Sequence, residues 1–190
     1  MATPRVGTVE AMPAAVDVLH LVRASVAAHP AADRAERAAV GTFLAEFDRI
    51  TAAGHDPFDQ AHDPVHVTGS AIVVGPRGVI LLKHKRLGMW LQPGGHIDAG
   101  EAPWQAAVRE AVEETGLEVT LESTELVHVD VHDGGRGHTH LDLRYLVRAG
   151  DADPAPPPGE SPDVHWFDWP AAVARATDAR LKSLLARLQA

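Results

Sequence analysis

The stretch from Gly94 to Leu117 leaves the chain the least conformational freedom. Gly94, Gly95 and Gly100 mark tight turns, where the backbone needs positive φ or a close approach to a ligand. Pro103 suits the first turn of a helix, because its missing N–H would have had no partner there. Gly116 suits the position just past a helix end, where a left-handed residue closes the last turn. A loop, a helix over Trp104 to Thr115 and a sharp stop are therefore specified locally.

At about 100° per residue, Glu110, Glu113 and Glu114 share one side of that helix. Trp104, Val108, Ala111 and Val112 take the opposite side, which is expected to pack on the domain. Like charges one turn apart cost a few tenths of a kcal/mol per pair, and the C-terminal half of a helix disfavours negative charge. A hard divalent cation, Mg²⁺ or Mn²⁺, removes both penalties because it prefers oxygen ligands. A solvated acidic face fits the same three glutamates, and alone they do not choose.

The flanks read as a mixed α/β chain. Two helices with a turn at His29-Pro30 are expected between about Val16 and Ile50, followed by an Asp-, Gly- and Pro-rich linker from Gly54 to Pro64. Val67 to Val74 and Val79 to Leu82 read as strands joined by a hairpin at Gly75-Pro76-Arg77-Gly78. Val119 to Asp133 is β-prone. From His138 to Arg148 the residues alternate, with Leu141, Leu143, Tyr145 and Val147 on one face and His140, Asp142 and Arg144 on the other, as in a half-buried strand. A proline-rich loop from Asp151 to Gly159 precedes a short strand at Val164 to Phe167. One or two closing helices over Ala171 to Leu188 carry the apolar stripe Leu181, Leu184, Leu185 and Leu188.

The whole string resembles the Nudix box: glycine, five residues, glutamate, seven residues, then Arg-Glu-apolar-any-Glu-Glu-any-Gly-apolar. Its fixed positions are Gly95, Glu101, Arg109, Glu110, Ala111, Glu113, Glu114, Gly116 and Leu117. The resemblance covers about Val65 to Trp169. It implies an α/β/α sandwich around a mixed β-sheet, here with an N-terminal helical extension and linker (residues 1–64) before a hydrolase domain (residues 65–190). It also implies metal-dependent hydrolysis of a diphosphate linkage in a nucleoside diphosphate derivative. Glu110 and Glu114, one turn apart, would be the principal metal ligands. Glu113 would ligate, bridge or take the water's proton, and the Gly94 carbonyl matches a further ligand position. Arg109 and Glu101 are expected to pair and hold loop to helix, and Gly95 and Gly116 to be structural. Glu160 is a candidate distal general base. A ligand-sensing module that keeps the fold without turnover is the rival reading; the intact glutamates argue against it. An isomerase of isoprenoid diphosphates, which also shares the fold, relies on a cysteine that this chain lacks.

Candidate substrate contacts are His96, after the glycine pair, and Arg86 in the basic cluster Lys83, Lys85, Arg86; for the latter a plain strand-end charge cluster comes first and phosphate contact second. His140 and Asp142 are candidates too, because two-residue spacing turns them to one face with His138. His128, Asp130 and His132 are spaced in the same way. Such spacing suits a substrate cleft, a zinc site or a solvated face.

A formal charge of −9 over 190 residues repels duplex nucleic acid on average. A small nucleotide partner stays compatible once cations neutralise both sides. With no cysteine, disulfides and thiolate sites are excluded, which fits a cytoplasmic location. Neither a signal peptide nor a membrane span is expected. The apolar N-terminal helices make a homodimer a further expectation.

Overall fold

A computed structural model describes residues 15–189. The first 14 residues of the N-terminal extension, and with them the expectation of no signal peptide, lie outside the described residues. Strand β1 (Val65–Gly75) turns through Pro76 and Arg77 into β2 (Gly78–Lys83), antiparallel with Val74 opposite Val79. Gly78 sits at φ +111, and a Cβ there would lie 2.1 Å from the Phe167 carbonyl oxygen, so only glycine closes this hairpin.

The remaining strands are β3 (Trp90–Leu91), β4 (Gly94–His96), β5 (Val119–Gly135), β6 (His138–Ala149) and β7 (Val164–Phe167). They complete one mixed sheet in the order β3-β2-β1-β6-β5, with β4 paired to β1 and β7 to β2. Strands β1 and β6 run parallel; the other pairs are antiparallel. Helices cover both faces, giving the expected α/β/α sandwich. On one side α1 (Ala15–Ala28), α2 (Arg34–Ala52) and α3 (Pro103–Thr115) close over Val67, Ala71, Leu141, Leu143 and Tyr145. On the other, α4 (Trp169–Arg175) and α5 (Ala179–Gln189) bury Leu181, Leu184 and Leu185 against Ile72, Val74 and Leu81. Among the described residues no helix is long and apolar enough to cross a membrane.

The N-terminal helices belong to the first core. Val18, Val22 and Val26 meet Phe43 and Phe47 of α2, and Phe58 of the linker joins them. Glu36 fastens this layer. Its carboxylate is 2.8 Å from His29 Nε2 and 2.7 Å from His128 Nδ1, and it accepts from the N–H groups of Ala32 and Val129. Burial opposes that charge, but these contacts outweigh it and hold the carboxyl down at about 2.

Two expectations need correction. Val112 is 43% exposed rather than packed. The face of α3 that meets the sheet runs through Ala106, Ala107, Ala111 and Thr115. A Cβ on Gly69 of β1 would lie 2.3 Å from the Pro103 carbonyl oxygen and 3.2 Å from Ala106 Cβ, so small residues on both sides bring helix and strand together. That contact rotates the helix and swings its acidic edge inward. Second, β6 is not half-buried. Asp142 and Arg144 are nearly as buried as Leu141 and Leu143, because β1 and β5 flank the strand and its polar face lines a cavity rather than the outer surface.

Candidate active site

The turn at Gly94 and Gly95 meets the acidic edge of α3. Pro103 opens the helix, with Gln105 Oε1 accepting from the Ala102 N–H at 2.9 Å, and Gly116 ends it at φ +68. The three glutamates then separate. Glu114 is largely buried and accepts from the Gly94 N–H at 3.0 Å. The Glu110 side chain is 17% exposed and lies against Gly95, where a Cβ would be 2.3 Å from Oε1. Glu113 stays at the rim, 53% exposed. Glycine at 95 is therefore what lets the Glu110 carboxylate reach the turn.

Arg109 ties these parts together. Its guanidinium donates to Glu101 at 3.0 Å, to the His96 carbonyl oxygen at 2.8 Å, to Glu110 at 2.8 Å and to Glu113 at 3.1 Å. Four acceptors around one planar fork fix the loop 96–101 to the helix. They raise the Arg109 pKa further, chiefly through Glu101. Even so, positive charge is short deeper in. Burial first, then the charges of Glu110 and Glu160, push Glu114 up to about 8 against the Gly94 hydrogen bond. Burial likewise raises Glu110.

A cavity of about 280 Å³ opens beside this turn. Glu114, Gly94 and Gly95 line it together with Thr68, Ser70, Asp130, His132, His140, Asp142 and Arg144. His84, Arg86, Leu87 and Met89 line it too. The polar wall follows from register. Parallel pairing sets His66 beside His140, Thr68 beside Asp142 and Ser70 beside Arg144. On the far side β5 sets His132 beside His140 and Asp130 beside Asp142. Since alternate residues share a face, these side chains form one polar lattice over three strands. Asp142 accepts from Ser70 Oγ at 2.8 Å, Thr68 Oγ1 at 3.1 Å and Arg144 Nε at 2.9 Å. Arg144 also donates to Asp130 at 2.9 Å, while its Nη1 is buried and finds no hydrogen-bond partner among the described residues. Burial opposes the charge on Asp130, but His132 and Arg144 outweigh it and hold the carboxyl at about 2.

Of the residues singled out from sequence, Glu110, Glu114, Gly94, Gly95, Arg109, Glu101 and His96 meet at one turn, and Arg86, His140 and Asp142 lie around the adjoining cavity. Arg86 donates to the Gly134 carbonyl oxygen at 3.2 Å. His96 is not among the cavity-lining residues; its ring packs instead tilted against His66 and edge-on to His140. Glu160 stands 3.8 Å from Lys85 Nζ, near enough to Glu114 to act on its carboxyl. Sequence reading left out Thr68, Ser70 and Gln92, whose Oε1 is buried, and gave Asp130 and Arg144 only a place on a strand face. The alternation from His138 to Arg148 already put Arg144 on the face of Asp142. The partners on β1 needed the pairing register, which no local signal carries.

Residues 64–188 match the family model described as a NUDIX domain. The chain is 30% identical over 105 residues to a bis(5'-nucleosyl)-tetraphosphatase (asymmetrical) of Caenorhabditis elegans, covering 53% of this chain and 74% of that protein. Among solved structures it resembles a NUDIX-family hydrolase from Clostridium perfringens, with a TM-score of 0.56, 28% identity and coverage of 65% of this chain and 97% of that one. A MutT NUDIX hydrolase from Burkholderia pseudomallei gives a TM-score of 0.54 at 27% identity, over 65% and 98% of the two chains.

Proposed function

The chain belongs to the Nudix family and is a hydrolase of it, and on that premise we propose that it cleaves the diphosphate linkage of a small nucleoside diphosphate derivative, using Mg²⁺ or Mn²⁺ held at the Gly94–Glu114 turn. The observation that carries this reading is the pair Glu110 and Glu114, drawn inward against a glycine turn beside a polar cavity.

The family uses divalent cations, and the residues at the turn suit one. The donor set is all oxygen, from Glu110, Glu114, the rim Glu113 and the Gly94 carbonyl, which is the chemistry hard cations select. A carboxyl held up at about 8 by burial and by neighbouring carboxylates is a group that a cation would relieve. A bound divalent ion of this kind lowers the pKa of water and neutralises phosphoryl oxygens. The chain's own residues contribute the rest. Gly95 keeps the space into which Glu110 fits, and the Gly94 N–H orients Glu114. Arg109 clamps the loop so that both carboxylates keep their separation. On the cavity wall, the free Arg144 Nη1 offers a donor to a substrate oxygen, and Asp130 and Asp142 hold its guanidinium in place. Arg86 and His140 line the same space and are further substrate contacts in this reading. Glu160, which acts on Glu114 from the loop after the prolines, remains the distal candidate for taking the water's proton.

Helices α1 and α2 are the extension to this hydrolase domain. The homodimer expected from them rests on less, because Val18, Val22, Val26, Phe43 and Phe47 are spent on the chain's own core. A cytoplasmic location rests on the lack of cysteine.

A panel of nucleoside triphosphates, nucleotide sugars, nucleotide alcohols and dinucleoside polyphosphates tests the reading. Turnover is followed by phosphate and nucleotide release with Mg²⁺, with Mn²⁺ and with chelator. Cation-dependent release of a nucleotide from at least one class is expected. Saturable nucleotide binding without release under any cation would mark a sensing module and overturn the hydrolytic reading.

A further inference from the structure

Four imidazoles crowd together where β1, β4 and β6 meet. His66 is 0% exposed, and its ring centroid lies 5.2 Å from His96, 5.0 Å from His140 and 5.2 Å from His138. Register puts them there: His66 pairs with His140 across the parallel strands, and His96 pairs with Thr68 across β1 and β4. One ligand nitrogen from each of His66, His96 and His140 lies within 4.8 Å of the other two. His66 Nδ1 is 3.3 Å from the Asp63 carbonyl oxygen and can only donate to it. That bond fixes the tautomer and leaves Nε2 as a bare lone pair. Nε2 is buried and finds no hydrogen-bond partner among the described residues. A buried acceptor left unpaired destabilises the fold unless a ligand supplies the missing partner. A ring nitrogen bonded to a carbonyl with the other nitrogen bare is the arrangement of a metal-binding histidine.

We propose that His66, His96 and His140 form a second cation site, distinct from the box glutamates, that takes a borderline-soft transition ion, zinc first. Three neutral imidazoles suit zinc better than magnesium, which selects oxygen donors. Zinc at about 2.0–2.1 Å from each nitrogen would need at most small ring rotations of side chains whose nitrogens already lie within 4.8 Å of one another. The fourth position is left to water or to His138 after a similar rotation. The ion ties β4, which begins at the glycine turn, to β1 and β6, and His140 places it at the edge of the cavity. It therefore steadies the turn on which Glu110 and Glu114 rest.

The zinc site shares only His140 with the hydrolytic reading, where that side chain becomes a metal ligand at the cavity edge, and its readouts need no turnover. The full chain is stripped with a chelator, loaded with zinc or cobalt(II) under excess Mg²⁺, desalted and assayed for metal content and visible absorption. One ion per chain is expected, with the strong visible bands of four-coordinate cobalt, together with a rise in Tm on zinc addition. A Glu110→Gln/Glu114→Gln double variant should keep this ion. His96→Asn and His140→Asn, both at half-buried positions, should weaken its retention at least tenfold while circular dichroism stays that of the parent chain. No retained ion, weak octahedral cobalt bands, or loss of the ion in the glutamate double variant would each overturn the proposal. If both histidine variants misfold, the cobalt spectrum of the parent chain decides.

Discussion

Replacing Glu114 by glutamine is expected to make the cation-free protein more stable at alkaline pH while removing its response to metal. Burial, with the charges of Glu110 and Glu160, raises the Glu114 carboxyl from 4.5 to about 8 in the folded chain. Between those values the folded state keeps a proton that the unfolded state has released, so stability falls as pH rises. The penalty is absent below pH 4.5, grows through the window and is complete above about 8. At about 1.4 kcal/mol for each pH unit across the window, the full penalty is on the order of 5 kcal/mol. Solvent screening at the cavity mouth reduces this to about 2–3 kcal/mol. With roughly 2–4 °C per kcal/mol for a chain of this size, Glu114→Gln should melt about 5–10 °C above the parent at pH 8.5 in chelator. Glutamine keeps an oxygen for the Gly94 N–H, so the turn itself is retained. Thermal melts of both proteins from pH 5 to 9, with and without Mg²⁺, read this out. The parent should recover most of the difference on adding Mg²⁺, and the variant should not move. Parallel pH curves, or a variant less stable than the parent at pH 8.5 in chelator, would refute the claim that an uncompensated buried carboxylate marks the cation position.

Three other perturbations test neighbouring parts of the argument. Gly95→Ala puts a methyl 2.3 Å from Glu110 Oε1; displacing that carboxylate by even an ångström should lower kcat by about a hundredfold, and kcat at saturating Mg²⁺ measures it. Arg144→Met leaves Asp142 buried without its cation, while Asp130 keeps Arg180 at 2.9 Å, at a cost of about 3–5 kcal/mol in urea unfolding; an unchanged midpoint would show that the network does not hold the wall. Glu36 sits at about 2 rather than 4.5, so its contribution is complete above pH 4.5 and is lost as pH falls toward 2. Glu36→Gln should flatten the acid limb of the melting curve and expose α1 and α2 to limited proteolysis, both absent if this carboxylate does not fasten the N-terminal layer.

What was legible from the chain divides along a physical line. The loop, helix and stop from Gly94 to Gly116 are specified by residues acting on their own backbone, and Pro103 and the φ +68 of Gly116 sit where local chemistry puts them. The hairpin at Pro76-Arg77 is of the same kind. Which side of α3 turns inward was legible only in part: of the expected face Ala111 is buried and Trp104 and Val108 pack at the edge of the core, but Val112 is exposed. Packing moved the centre of that face to Ala106 and Ala107, since these let the helix press on Gly69, and close contact outweighs the exposure of one valine. That choice has a chemical consequence. It sets Glu110 and Glu114 beside the packed face, turning a row of charges that could have been solvated into a buried pair in need of a cation.

The cavity wall shows the complementary case. His140, Asp142 and Arg144 read as the outer face of a strand, and alternation does put them on one side. Their burial comes from a partner 74 residues away in sequence, since Asp142 accepts from Thr68 and pairs with it in register. A slip of one residue between β1 and β6 would turn every one of these side chains to the other face and set Leu141 and Leu143 in the cavity. The apolar face therefore enforces the register: Val67, Ala71, Leu141, Leu143 and Tyr145 reach the core under α3 in only one alignment. The polar lattice is positioned by the hydrophobic residues between its members, and substitutions at Leu141 or Leu143 should disturb substrate contacts that those residues never touch.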